Sequence, residues 1–156
     1  MNIMLKKLLI TVSIILALGC GALAQGVHTP EKDSPERKAI LDALRVPVEK
    51  ALKQKIQFSI ETFNVQGNAA FLSGAPQTPN GKKPNYQGTP YQTAVESDAF
   101  DNNIFALLKK TAGKWKVVKY AIGCTDVCFA TWWKDYKAPK AIFPANYWTK
   151  DLKDIS

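Results

Sequence analysis

The chain has 156 residues, a formal charge of +8 and 46% hydrophobic residues, the content of one folded domain. A domain of this size buries enough surface to need no metal for folding. The basic balance permits contact with anionic surfaces or acidic proteins, or simply solvates a chain whose lysines are spread throughout. Arg37 and Arg45 are its only arginines, and phosphate recognition favours arginine forks, so nucleic acid is discounted as a partner.

The first 24 residues read as an export signal. Lys6 and Lys7 form a positive start, Leu8 to Leu18 is an apolar run, and Ala22-Leu23-Ala24 supplies the small residues of a cleavage site. The run is too short to span a membrane, which takes about 20 apolar residues. A cut before Gln25 leaves 132 residues, a charge of +6 and no spanning segment. Ala17-Leu18-Gly19-Cys20 offers a second reading, because it resembles a lipoprotein box. It departs from that pattern in having Ala17 where a larger aliphatic belongs and Leu18 where a small residue is usual. Lipid anchoring through Cys20 is therefore the alternative to release into the periplasm or medium. Cys124 and Cys128 then remain, and an even pair in an oxidising compartment is expected to form a disulfide. A metal site would need more ligands, and the only histidine is His28.

Residues 25–33 are polar and read as a flexible lead. Ser34-Pro35-Glu36 opens a helix, with Ser34 as N-cap and Pro35 at the first position. Leu41, Leu44, Val48 and Leu52, widened by Ile40 and Ala51, form its apolar stripe. Pro47 predicts a kink or two abutting pieces. Ile56, Phe58 and Ile60 then alternate, and Phe63 and Val65 continue in the opposite phase, which predicts a strand with a bulge near Glu61-Thr62. Gln66-Gly67-Asn68 turns the chain, and Ala69 to Ser73 reads as the returning strand.

Gly74 to Asp98 contains four prolines and two further glycines after Gly74, and reads as a long loop with a short strand at Thr93 to Ser97. Asn103 to Lys109 and Lys114 to Gly123 form a second hairpin around Thr111-Ala112-Gly113. Its strands are apolar on both faces, so both faces are expected to be covered. Thr125 or Asp126 caps a last helix with Phe129, Trp132, Trp133 and Tyr136 as its stripe, ended by Ala138-Pro139. Ile142-Phe143-Pro144 and Tyr147-Trp148 are too aromatic for a loose tail.

These elements predict a single α+β domain over residues 34–156. A curved four-stranded antiparallel sheet packs on an N-terminal helix, and a short C-terminal helix follows. The order over residues 34 to about 137 resembles the cystatin-like and NTF2-like folds. Gly67-Asn68-Ala69-Ala70-Phe71 and Gly113-Lys114-Trp115-Lys116-Val117-Val118 look similar to hairpins of exported proteins with that architecture. The resemblance implies a fold and not an activity, since such folds carry enzymes, binding proteins and inhibitors alike.

No motif of phosphate, dinucleotide, serine-hydrolase or zinc-protease chemistry occurs in the chain. No catalytic residue and no cofactor is assigned. Asp98 and Asp101 read as turn residues. The expected contact surface is the long loop, with Lys82, Lys83, Tyr86 and Tyr91, because prolines and tyrosines limit the entropy lost on binding. The alternative surface is Lys114 and Lys116, which share a strand face within a ladder of Lys109, Lys110 and Lys119, together with Trp132 and Trp133. The reading that follows is a non-catalytic binding or inhibitory protein of immunity type, acting on another envelope protein. Its alternative is an NTF2-like small-molecule-binding protein or enzyme with an internal pocket.

The expected export cut is tested directly. N-terminal sequencing of exported material should begin at Gln25; a mature chain beginning with acylated Cys20 would establish the lipoprotein reading instead.

Overall fold

The structure, a computed structural model, describes residues 25–145. The export signal, Cys20, Tyr147 and Trp148 lie outside the described residues.

Helix α1 spans Pro35–Leu52, and the Ser34 hydroxyl accepts the Arg37 N–H at 3.2 Å as its N-cap. Ile40, Leu44, Val48 and Leu52 are buried at strict i, i+4 spacing. The helix runs through Pro47 as one element and not as two pieces. Leu44 and Val48 are buried on either side of Pro47, and Val46 is left 71% exposed.

The sheet is open and antiparallel, in the order β1-β2-β3-β4. Strands β1 (Gln57–Gln66) and β2 (Ala69–Gln77) form the first hairpin, and β3 (Ile104–Thr111) and β4 (Lys114–Ile122) the second. The register of β1 slips between Ile60 and Thr62, as the phase change predicts. The extra residue, Glu61, turns Phe58 and Ile60 onto the same face as Phe63 and Val65. A second slip, not anticipated, pairs Leu107 with Lys119 and Leu108 with Val117, leaving Val118 unpaired. It places Trp115, Val117, Tyr120 and Ile122 together on the α1 face.

The two faces of the sheet carry separate clusters. One packs the α1 stripe against Phe63, Val65, Ala70, Leu72, Ile104, Ala106 and Leu108. The other packs Ala69, Phe71 and Leu107 against Phe129, Trp132, Ile142 and Phe143 from the segment after β4. The expectation that both faces of the second hairpin are covered is met by this segment only in part, along β3; on β4, Lys114, Lys116 and Lys119 stay exposed on the face away from α1. Rings at Phe71, Phe129 and Phe143 lie 4.7–6.3 Å apart and close that layer.

Three predicted elements differ. Strand β2 continues past Ser73 to Gln77, because Gly74 to Gln77 remain paired with β1. Residues 93–97, read as strand, belong to a short helix, α2 (Gln92–Glu96), and its C-cap Ser97. The last helix, α3, is only Trp132–Asp135, and its N-cap is Thr131 rather than Thr125 or Asp126. The chain from 124 to 131 turns instead. Cys124 and Cys128 stand there at disulfide distance, with Cα atoms 6.2 Å apart. So short a loop is worth about 2 kcal/mol at most; its main effect is to fix how the chain leaves β4. A turn of 3-10 helix at Lys140–Ile142 follows.

The lead is also not loose. His28 exchanges backbone hydrogen bonds of 2.9 and 2.8 Å with Val65, its ring meets Glu36 at 2.8 Å, and Pro30 is buried.

Gly74 tests the β1–β2 contact. A Cβ at this position would lie 2.0 Å from the Ser59 carbonyl oxygen, so only glycine permits the approach beside the Glu61 bulge. Gly74→Ala should lower the free energy of unfolding by about 2–3 kcal/mol, read from denaturant titration.

Candidate functional site

The long loop folds inward at its centre. Tyr86 is 4% exposed and belongs to the α1-face cluster. Its hydroxyl donates to Asn102 Oδ1 at 2.5 Å, and its ring packs edge-on to Phe100 at 4.5 Å and Tyr91 at 6.3 Å. Tyr91 is half-buried against the same cluster. Neither tyrosine is presented as a free contact; both anchor the loop. The tip is local: Thr78 bonds the backbone of Lys82 in both directions, and Gly81 closes the turn. Lys82 is exposed, and the Lys83 ammonium lies 5.7 Å from the centre of the Tyr86 ring.

Of the alternative surface, Trp132 is buried. Trp133 is half-buried with the Lys140 ammonium 4.9 Å from its ring centre. Lys114 and Lys116 are exposed on the sheet face away from α1.

A feature the sequence reading missed is a groove of about 900 Å³ between the lead, α1 and β1. Leu41, Phe58 and Ile60 form its apolar floor, and Arg37 and Arg45, the chain's only arginines, line it. Arg37 donates to the Pro30 carbonyl at 3.2 Å and its guanidinium lies 4.7 Å over the Phe63 ring. Arg45 donates from Nε to the Ile56 carbonyl at 3.1 Å and pairs with Asp42. Lys38 meets the other oxygen of Asp42 at 2.5 Å. The hydrogen bond from Lys38, with that from Arg45, holds the Asp42 carboxyl below the usual range against its partial desolvation. These contacts fix the cations without a ligand. Beside them runs the outer edge of β1, which among the described residues has a backbone partner only at Val65, from His28. The signal was present in the sequence: Arg37, Leu41 and Arg45 recur every four residues and so share one side of α1.

Among the described residues no three His, Cys, Asp or Glu side chains gather as a metal site. No helix there is long and apolar enough to cross a membrane. Comparison with family models, with characterised proteins and with solved structures finds no match.

The inward tyrosines generate an alkaline signature. Burial, with the neighbouring Tyr120, pushes the Tyr91 phenol up to about 12, and burial pushes Tyr86 higher still. Both stay protonated in the fold, whereas the unfolded chain releases these protons near pH 10. Stability should therefore be unaffected by them below pH 10 and should fall as pH rises from about 10 towards 12. Denaturation midpoints at pH 8 and pH 11 read this, and Tyr86→Phe with Tyr91→Phe should flatten the drop. Tyr86→Ala at neutral pH should cost about 3–5 kcal/mol, so excising the loop from Pro79 to Thr89 will not be neutral.

Proposed function

We propose that the chain is a non-catalytic exported protein of the cell envelope. It binds or inhibits another envelope protein by taking an extended segment of it into the groove beside β1. The observation that carries this reading is the groove itself. An apolar floor and two arginines held in place line it, beside the open edge of β1. An extended segment entering there gains backbone hydrogen bonds from the edge and side-chain contacts from the floor. Prior fixing of the arginines reduces the ordering entropy of binding.

The cysteine pair at disulfide distance supports residence in an oxidising compartment, in keeping with the expected export signal. Helix followed by a four-strand meander is the order on which the resemblance to cystatin-like and NTF2-like proteins rests. It supports the architecture of a binding module without naming a partner. The alternative, an NTF2-like pocket between sheet and helix, has less to support it. Ile40, Leu44, Val48 and Leu52 fill that space at 0–1% exposure, and the groove opens at its margin.

A photo-crosslinking residue placed at Lys32 or Lys38, on the groove rim, should trap one discrete envelope protein in living cells. Arg45→Ala should weaken that complex by about tenfold. Crosslinks that arise only from Lys82 or Lys116, with the groove positions silent, would move the site away from β1.

A further inference from the structure

The charge of the folded domain is divided unequally. Residues 25–103 carry nine lysines and arginines against nine acids, and so are neutral. Residues 104–145 carry eight lysines against two aspartates. That difference equals the whole +6 excess of the chain expected after export. The lysines are spread along the sequence, but the net charge is not.

The fold gathers much of this excess on one surface, although Lys110, opposite Trp115, falls on the α1 face instead. Lys109 faces Lys116 directly across the β3–β4 ladder, and Thr111 faces Lys114. Opposed residues of an antiparallel pair project to the same side. The slip at Val118 brings Lys119, opposite Leu107, to that side as well. Lys114, Lys116 and Lys119 are exposed and make no ion pair among the described residues. The Lys109 ammonium donates to the Tyr136 carbonyl at 2.6 Å and the Lys137 carbonyl at 3.3 Å. The end of α3, with exposed Lys134 and Lys137, therefore adjoins the row. Like charges set directly opposite one another oppose folding.

We infer that this lysine face is an electrostatic docking surface for an anionic phospholipid membrane. Charge complementarity and residue choice favour that occupant. The cations of this face are all lysines, with Asp135 as an acid at its α3 margin. Lysines act as point charges, whereas planar recognition of a carboxylate or a single phosphate favours arginine forks. Rows of lysine suit a fluid layer of headgroups, to which each adds attraction without fixed geometry. The face lies on β4, at the opposite margin of the sheet from the β1 groove, so docking leaves the groove open.

The test is sedimentation of the exported chain with vesicles. Mixed phosphatidylglycerol and phosphatidylethanolamine vesicles should bind it, and phosphatidylcholine vesicles should not. Binding should fall steeply between about 0.05 and 0.5 M salt. Lys114→Glu with Lys116→Glu should reduce it at least tenfold, and Lys114→Gln with Lys116→Gln should give a smaller loss. Both positions are exposed, and a carboxylate introduced at position 116 would face Lys109 as an opposite charge; circular dichroism checks that the variants fold. Equal binding to neutral vesicles, or unchanged binding by both variants, overturns the inference. So does tighter binding to soluble polyglutamate than to anionic vesicles, which would assign the face to an acidic protein.

Discussion

Two extra residues, one in each edge strand, decide what this sheet can bury. Without Glu61 in β1, the alternation that points Phe63 and Val65 at α1 would point Phe58 and Ile60 away from it. Without Val118 in β4, Trp115 and Val117 could not share a face with Tyr120 and Ile122. Each bulge converts a strand with two phases into one continuous apolar face long enough to receive the helix. Bulges also strengthen local twist and bend the strand that carries them. That bend occurs at both outer strands, while β2 and β3 keep regular pairing between them.

The central strands answer a different constraint. They are buried on both sides, so each needs two partners: α1 on one face and the segment after β4 on the other. That segment has little regular structure of its own, with four residues of helix and three of 3-10 turn. It is held by aromatic packing on Phe71 and Phe105, and by Asn64 Nδ2 donating to the Ile142 carbonyl at 2.9 Å. The cysteine pair sets its starting direction. Tyr86 does the same for the loop between β2 and α2, with its ring in the core and its hydroxyl satisfied by Asn102. In both cases side chains, not backbone ladders, place the chain.

This division explains what could be read in advance. The Ser34 cap, the helical stripe, both hairpins and the Glu61 bulge are written in local spacing, and all are present. The Val118 bulge is masked because Val117 and Val118 are both apolar and either could face the core. Gly74 and Pro76 look like loop punctuation, yet both sit inside β2. Glycine is needed there for the approach of Ser59. Pro76 lies past the point where β3 pairing stops, opposite Phe58 alone, the kind of site where a strand tolerates a missing N–H. Tyr86 gave no periodic sign of its direction, since a lone aromatic in an irregular segment reads equally well as contact or anchor. The groove required two facts together: the four-residue spacing of Arg37, Leu41 and Arg45, and the position of β1 at the sheet edge. Only the first is local.

The lysine row bears on stability as well as on binding. Of the opposed pair, Lys109 is relieved by two carbonyls just past the end of α3. Lys114, Lys116 and Lys119 have no comparable relief among the described residues, so their mutual repulsion stays in the folded state and is moderated only by salt. An anionic surface that neutralises them removes that repulsion at the moment of contact. Anything that binds the native state and not the unfolded one stabilises it by mass action. The same segment that closes the second core layer thus ties its own anchoring to the row, through the bond from Lys109 to Tyr136.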